Sequence, residues 1–194
     1  MQPVPEQNRD RKGAATYLLT WACYGSWLTG QPGAVSQTRN QYGAPLPEPD
    51  SHIESHSKNR MTQEPYVLDP RRRQVILQSL RDTCRCRSWI LWAAHVRTNH
   101  VHVVITANTK PEQMMNALKA HSSRALNQLA QNRSTRRRWV RHGSTGYLWT
   151  DNAVRAAIQY VVHEQGVPMA VFERPLSEPG RPQGTLGSGY TLTL

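Results

Sequence analysis

The sequence predicts an α+β fold of the ferredoxin-like type, in which helices lie on one face of an antiparallel sheet. Its predicted elements run in the order strand, helix, strand, strand, helix, strand, helix, which is the ferredoxin-like pattern. Two adjacent strand patterns, at 88–96 and 100–106, favour a hairpin with Asn99 in its tight connection. With 194 residues, of which 38% are hydrophobic, the chain can bury the core of one compact domain. The other face of such a sheet would be free for binding or catalysis.

The N-terminal third is expected to combine one strand with a long loop. Residues 1–14 are polar and are expected to form a flexible N-terminus before a domain that spans 15–173. The aromatic and β-branched run TYLLTWACYGSW at 16–27 is typical of a buried strand. Five of the 13 prolines fall within 29–66, among Gly, Ser, Asn and His. This composition predicts a loop insertion that buries no face.

Two helix-start signals place the helices around the hairpin. Asp69 followed by Pro70 is typical of an N-cap and a first helical residue, and apolar residues then recur at helical spacing, which predicts a helix over 70–85. Lys110 followed by Pro111 opens a second, longer amphipathic helix. Both helices connect strands and can therefore pack on the sheet.

The C-terminal part is predicted to hold one short strand and one more helix. The strand is YLW at 147–149, and Thr150 or Asp151 caps a helix that runs to about Gln165. The Gly-, Pro- and Ser-rich segment 174–194 is expected to be a loose tail.

The charge balance favours a polyanionic partner. Lys and Arg number 24 against 13 Asp and Glu, a net charge of +11, and most of the basic residues are arginines. Arginine grips phosphate through two parallel hydrogen bonds, so nucleic acid is the expected partner, with a soluble or ribosome-associated basic protein as the alternative. Between Gln113 and Thr150 the sequence has no acidic residue. The DNA-binding candidates there are Lys119, Arg124, Arg133, Arg136, Arg137, Arg138, Trp139 and Arg141, with Arg71, Arg72 and Arg73 as a second patch.

The cysteines favour a reducing compartment. Cys23, Cys84 and Cys86 are odd in number, and the last two form a C-x-C that cannot easily pair internally. No secretory signal and no run of 18 apolar residues is visible, so a cytoplasmic location is expected. A zinc site formed by Cys84, Cys86 and His95 is less favoured than buried or incidental thiols, because C-x-C lacks zinc-finger spacing.

Two pairs of side chains could carry chemistry. His100 and His102 are two residues apart on a predicted strand, so both imidazoles point to the same face and could converge on one divalent ion. Tyr160 and Glu164 are four residues apart on the last helix, so a phenol and a carboxylate share one flank. Taken singly, the histidines could be exposed strand residues, Tyr160 a packing residue and Glu164 a solvated carboxylate.

Four strings resemble the HUH tyrosine transposases, and more narrowly the insertion-sequence 200-like and REP-associated group. They are TYLLTWACYGSWLTG, NHVHVVI, GSTGYLWT and AAIQYVVHEQG, and they occur in the family's order over about residues 15–170. The resemblance implies an HUH endonuclease domain, usually dimeric, that cuts and rejoins single-stranded DNA near hairpins through a 5′-phosphotyrosine. It implies His100 and His102 as ligands of Mg or Mn and Tyr160 as the nucleophile. It also implies a homodimer in the bacterial cytoplasm, associated with the nucleoid when bound to DNA.

The sequence departs from the family's pattern before the His-x-His motif and after the tyrosine. Arg97 and Thr98 stand where relatives usually have Met-Pro, which is a modest change. Relatives commonly carry Gln or Asn four residues after the tyrosine, whereas this chain has Glu164 there, followed by Gln165. On an unbroken helix Gln165 would lie about 140° round from Tyr160, so Glu164 is the predicted third metal ligand. A helix that ends early would bring in Gln165 instead.

Several functions remain open on the sequence. The favoured one is an active transposase, and a host-adopted enzyme that processes repeated hairpins would use the same chemistry. A DNA-binding protein that lost catalysis would keep the fold. A relaxase or replication-initiator nickase would usually carry another arrangement of histidines and tyrosines, and further domains. Tyr147 is the alternative nucleophile, although its place beside Trp149 favours packing.

Overall fold

The computed structural model describes residues 13–31, 48–131 and 136–175. Most of the predicted flexible N-terminus (1–14) and loose tail (174–194) therefore lies outside the described residues. Within the described segments, no helix is long and apolar enough to cross a membrane. The elements in chain order are β1 (Ala15–Ala22), α1 (Ser51–Asn59), α2 (Pro70–Cys86), β2 (Ile90–Val96), β3 (His100–Ala107), α3 (Pro111–Leu129), β4 (Ser144–Leu148), α4 (Asp151–His163) and β5 (Ala170–Glu173).

The strands form one antiparallel sheet in the order β4-β1-β3-β2-β5. β2 and β3 pair as the predicted hairpin, and β1 lies between β3 and β4. This arrangement confirms the predicted α+β, ferredoxin-like fold. β5 is not predicted from the sequence, since four residues are too few to show an alternating pattern, and it extends the sheet beyond β2.

The two faces of the sheet carry different helices. Val103 and Ile105 of β3 belong to a large apolar cluster with residues of α2 and α3. Val104, which points to the other face, belongs to a smaller cluster with Val161 and other residues of α4. The expectation that the helices lie on one face thus holds for α2 and α3 only. α4 has an apolar stripe of its own and buries it against the opposite face, where the site described below lies.

Helix α1 corrects the interpretation of 29–66 as a loop. Asp50 caps it by accepting hydrogen bonds from the backbone N–H groups of His52 and Ile53, and Glu54 pairs with Lys58 one turn later at 2.7 Å. All of this helix is described, and none of its residues is buried. Because no apolar face is buried, the sequence shows no apolar periodicity from which the helix could be predicted. Residues 32–47 of the same interval lie outside the described part.

Two strands have bounds in the structure that differ from the predicted ones. The predicted helices begin as expected, with Asp69 accepting a hydrogen bond from the N–H of Arg72 and Thr150 from that of Ala153. β4 begins at Ser144, three residues before the predicted strand. β1 ends at Ala22 rather than running to 27, because Gly25 and Trp27 turn the chain with positive φ angles of 78° and 50°.

Candidate active site

The two imidazoles of the His-x-His motif lie side by side on β3. His100 and His102 point to the face that α4 covers, with ring centroids 4.8 Å apart and ring planes at 82°. His102 is buried and His100 is partly buried. Alternation along the strand therefore produces the common orientation that the sequence predicts.

A polar neighbour holds each ring through its Nδ1 atom. Nδ1 of His100 lies 2.8 Å from Oδ1 of Asn99, and Nδ1 of His102 lies 2.7 Å from Oγ1 of Thr20. The β1–β3 register places Thr20 directly opposite His102. When each Nδ1–H donates to its neighbour, both Nε2 atoms keep a lone pair for a cation, which is the tautomer required of a metal ligand.

Burial keeps both imidazoles neutral. It lowers the pKa of His100 to about 4, and the positive charge of Arg97 adds to this effect. Burial likewise lowers the pKa of His102 to about 4, assisted by the neighbouring His100. A hydrogen bond from each ring to Gln165 acts in the opposite direction and raises both pKa values. At neutral pH the pair is thus available to bind a cation without first losing a proton.

Tyr160 stands at the edge of this cluster. It lies in the last turn of α4, and its ring centroid is 5.7 Å from that of His102. The side chain is 40% exposed, so a polymer could reach the phenol from solvent. Tyr147 is placed elsewhere: it stacks on Trp149 at 5.1 Å and contacts Tyr17, a member of the cluster on the α2 and α3 face.

The structure brings Gln165, rather than Glu164, to the histidines. Helix α4 ends at His163, so Glu164 becomes its C-cap and its side chain is exposed. The chain then turns and brings the amide of Gln165 close enough to raise the pKa of both imidazoles, while its Nε2 donates to the carbonyl oxygen of Tyr160 at 3.4 Å. Among the described residues, no group of three or more His, Cys, Asp or Glu side chains is placed to hold a metal ion. Because α4 ends early, the placement favours Gln165 over Glu164 as the side chain beside the histidines.

A buried histidine fixes the end of α4. His95 of β2 pairs with His102 across the hairpin and is fully buried. Its Nδ1 donates to the carbonyl of Val161 at 2.9 Å, and its Nε2 accepts from the N–H of Met169 at 3.2 Å. These two hydrogen bonds bracket the turn that contains Gln165. His95 is therefore part of the support of the site, and not part of the zinc site weighed with Cys84 and Cys86.

Trp27 forms the outer wall beside His100. The two ring centroids are 4.8 Å apart, and the indole is 43% exposed. Its φ of 50° lies in the left-handed region, which costs a residue with a Cβ roughly 1–2 kcal/mol. Strain of this kind at an exposed aromatic residue beside a reactive cluster is typical of a binding role.

Helix α1 supports the loop that carries Trp27. Gln31 accepts a hydrogen bond from the N–H of Leu28 and donates one to Glu54 of α1 at 3.1 Å. Gly30, at φ 98°, packs its backbone against Asp50 and Glu54 so closely that a Cβ would not fit. The helix missed by sequence reasoning thus positions one wall of the site.

Two of the predicted DNA-binding residues have structural roles. Lys119 is buried, and its Nζ donates to the carbonyl oxygens of Val140, Arg141 and His142 at 3.0 to 3.4 Å. Burial lowers the pKa of Lys119 to about 8. Trp139 donates from Nε1 to Ser123 at 2.9 Å, and its ring packs edge-on against that of Trp21. Both side chains thus make contacts within the fold, and their assignment to DNA binding stays a prediction.

The predicted arginines are distributed over different surfaces. Arg136, Arg137 and Arg141 are exposed, whereas Arg138 is buried with its Nη2 donating to Asn127 at 2.5 Å. Arg124 is exposed and lines a groove between α2 and α3, on the face opposite the histidines. Arg133 lies outside the described residues.

Sequence reasoning missed several contacts of the site for physical reasons. Thr20 is the one polar residue in the run YLLTWA, a signal that its hydroxyl needs a partner, yet only the strand register identifies His102 as that partner. Asn99 was assigned to a turn, where its side chain can also hold a neighbouring ring. Neither the φ angle of Trp27 nor the buried contacts of His95 leaves a trace in the sequence.

The chain is similar to known transposases. The family model described as "Transposase IS200 like" matches residues 51–162, from α1 to the penultimate residue of α4. No curated protein matches the chain. Among solved structures, a REP-associated tyrosine transposase bound to a REP hairpin is similar with 10% identity and a TM-score of 0.43, over 84% of this chain and 70% of the other. A candidate transposase from Deinococcus radiodurans R1 is similar with 17% identity and a TM-score of 0.39, over 85% and 98%.

Proposed function

Because the chain belongs to the IS200-like transposase family, we propose that it cleaves and rejoins single-stranded DNA with Tyr160 as the nucleophile. The observation that carries the proposal is the convergence of an exposed phenol, two neutral imidazoles and an amide on one side of the sheet. The site combines His102 of β3 with Tyr160 of α4 and with Gln165, which follows that helix. His95 holds the end of α4 through its hydrogen bonds to Val161 and Met169.

The donor set fits a divalent cation. The contacts of their Nδ1 atoms leave both Nε2 atoms of the histidines available, and the amide of Gln165 lies near enough to raise the pKa of both rings. Two imidazole nitrogens and one amide oxygen suit Mn²⁺, and Mg²⁺ when water completes the shell. In this proposal His100, His102 and Gln165 are the ligands, and Glu164 is not. A bound cation would polarise the phosphate and stabilise the departing 3′-oxygen.

The residues of the chain would perform the remaining steps. Oη of Tyr160 attacks the scissile phosphorus and loses its proton, the P–O3′ bond breaks, and the 3′-oxygen takes up a proton. The product is a 5′-phosphotyrosine and a free 3′-hydroxyl. The phosphotyrosine keeps the energy of the ester bond, so attack by the 3′-hydroxyl of another strand rejoins DNA and frees Tyr160. One tyrosine at the site handles one strand at a time.

The surroundings of the site suit unpaired DNA. Trp27 presents a half-exposed indole next to His100, and bases stack on such rings when they are not paired. Arg97, close enough to influence the charge of His100, adds a cation near the position that a phosphate would take. The homodimer implied by the family resemblance is part of this proposal, as is hairpin-forming DNA as the substrate.

A covalent-complex assay tests the proposal. The full chain is mixed with Mn²⁺ or Mg²⁺ and labelled single-stranded DNA that carries hairpins from the gene's own flanks. We expect a label that stays with the protein on a denaturing gel, disappears with a chelator, and is absent in Tyr160→Phe. The matched control is Tyr147→Phe, which alters another exposed tyrosine and should leave the adduct intact.

The opposite outcome would favour the second candidate. Salt-sensitive DNA binding without an adduct on any of several hairpin substrates would identify a DNA-binding protein that has lost catalysis. An adduct that survives Tyr160→Phe but not Tyr147→Phe would move the nucleophile to β4.

A further inference from the structure

A pocket rich in arginine lies at the start of α2, away from the histidines. Its volume is about 340 Å³, and Tyr66 forms part of its wall. The first turn of α2 contributes Arg71 and Arg72, and the segment after α3 contributes Arg136 and Arg138. The two basic patches that the sequence shows far apart, at 71–73 and 133–141, therefore meet around one tyrosine. We call this cavity the arginine pocket.

Arginines outnumber carboxylates in the described lining of the arginine pocket. Its described lining holds four guanidinium groups and a single carboxylate, Asp69, which lies 3.3 Å from Arg72 and also caps α2. The guanidinium carbons of Arg72, Arg136 and Arg138 lie 5.5, 5.4 and 5.8 Å from the centroid of the Tyr66 ring. Each contact with the ring face is favourable, and Arg136 also donates from Nη2 to the carbonyl oxygens of Glu64 and Pro65. The ring carries no net charge, so an anion in the pocket would lower the repulsion between the guanidinium groups.

One of the four arginines is itself incompletely satisfied. Arg138 is only 7% exposed, and its Nη2 donates to Asn127 at 2.5 Å. Within the described part of the chain, its Nε has no hydrogen-bond partner. A buried donor without an acceptor is costly, and this one belongs to a side chain that lines the pocket. An acceptor oxygen that enters the pocket could satisfy it.

The N-terminus of α2 adds to the positive electrostatic potential of the arginine pocket. The first turn of α2 contains no acidic residue and three arginines, although cations are unfavourable at a helix N-terminus. The N-cap Asp69 supplies one negative charge against these three arginines, so a further anion would stabilise this helix end. A planar guanidinium fork is suited to the oxygens of phosphate, and four of them favour a phosphate over a single carboxylate.

We propose that the arginine pocket binds a backbone phosphodiester of the DNA, outside the site of cleavage. The proposal rests on DNA being the ligand, as in the proposed function, but not on catalysis. The N–H of Tyr24 donates to the carbonyl of Arg138 at 2.9 Å, and the N–H of Tyr66 donates to the carbonyl of Tyr24 at 2.8 Å. Tyr24 begins the loop that carries Trp27. A phosphate held in the pocket would thus anchor DNA on residues that are hydrogen-bonded to the segment leading to Trp27.

Binding measurements at several salt concentrations test this proposal. The protein is the full chain with Tyr160→Phe, which cannot form an adduct, and the probe is a labelled single-stranded hairpin oligonucleotide read by fluorescence anisotropy. Arg71→Gln and Arg136→Gln should each lower the slope of log K against log salt by about 1, the change expected for one lost phosphate contact. The control is Arg85→Gln, the same charge change in the last turn of the same helix, on a side chain that is 78% exposed.

A second arm identifies the phosphate. Single phosphates of the oligonucleotide are replaced in turn by neutral methylphosphonates. At one position the loss of affinity should be several-fold smaller in Arg71→Gln than in the parent, because the same contact cannot be lost twice. Arg71 is exposed, so Arg71→Gln gives a folded test protein even where Arg136→Gln unfolds in a thermal melt.

Three results would overturn the proposal. Pocket variants with an unchanged slope, or a control whose slope falls equally, would show that the pocket contacts no particular phosphate. If inorganic phosphate protects the parent but not Arg71→Gln against thermal unfolding, and no methylphosphonate position couples to Arg71, the ligand is a free phosphate. Because Tyr160→Phe is used throughout, failure of the covalent-complex assay would leave this test intact.

Discussion

Gln165 reaches the two histidines because α4 ends two residues before it. Glu164, which occupies the position four residues after the tyrosine, is turned out to solvent at the C-cap. Helical spacing alone ranks these two residues in the opposite order, since it assumes that the helix continues. The residue types of the site could thus be predicted from the sequence, but the choice between two neighbours depends on where one backbone turn falls.

Metal binding distinguishes the two neighbours. Gln165→Ala removes the amide oxygen beside both imidazoles and should weaken Mn²⁺ binding by about tenfold or more, a loss typical of a disturbed ligand shell. Glu164→Ala is the matched control, and it should change the affinity by less than about twofold, because its side chain is exposed. Isothermal titration of the full chain measures both. The reverse order of effects would restore Glu164 as the ligand.

Lys119 belongs to an acid-free, basic stretch, yet it acts within the fold. Its Nζ satisfies three carbonyl groups of 140–142, so Lys119→Met should leave them without a donor and lower the free energy of unfolding by about 2–3 kcal/mol. Urea denaturation measures this loss. Arg141→Gln, an exposed change in the same stretch, should cost no more than about 0.5 kcal/mol.

DNA binding provides the other half of this test. Lys119→Met should leave the salt dependence of oligonucleotide binding unchanged, since its charge faces carbonyl groups. A stable Lys119→Met variant with a reduced salt slope would return Lys119 to the DNA interface. A charge run in a sequence shows sign and density but not burial, so the sequence alone does not reveal that Lys119 is buried.

At the scale of elements, β2 controls α4 through His95. The two hydrogen bonds of this buried ring, to Val161 and to Met169, set the direction in which the chain leaves the helix. The sequence predicts both elements, but it cannot predict this tie, because the three residues are separated by up to 74 positions. The sequence also does not predict α1 and β5, because neither has an apolar pattern of sufficient length.

His95 should therefore act as a positioning residue. His95→Ala is expected to weaken Mn²⁺ binding about tenfold although the ring holds no free nitrogen for a cation, and His95→Gln, which keeps a donor and an acceptor, should recover part of the affinity. The matched control is Thr106→Ala, which removes buried hydrogen bonds to Thr16 and Trp92 on the same sheet. Equal loss of Mn²⁺ binding in the control would mean that general destabilisation, not position, explains the effect.

At the scale of the whole molecule, the two faces of the sheet are unequal. Among the described residues the cluster under α2 and α3 contains 23 buried residues, and the cluster under α4 contains seven. The fold class and the β2–β3 hairpin follow from the sequence, since alternation and helix signals are strong there, whereas the full strand order comes from the structure. The side of the sheet on which α4 lies does not follow, because an apolar stripe can pack on either face.

The smaller cluster predicts that α4 opens locally more easily than the rest of the fold. Hydrogen–deuterium exchange should show protection factors in α4 about tenfold or more below those of α3, whose core-facing residues lie in the larger cluster. Mn²⁺ should raise protection at the end of α4, because Gln165 lies there. Equal protection of the two helices would show that the molecule opens only as a unit.

The distribution of the cysteines gives a practical consequence. All three lie in the described part of the chain and are unpaired, and Cys23 and Cys84 are buried, which raises the pKa of each thiol to about 12. Cys86, at the end of α2, is exposed. A maleimide dye added to the native protein should thus attach at one position, on the face opposite Tyr160. The unmodified sequence is already suited to single-molecule fluorescence of strand capture and release.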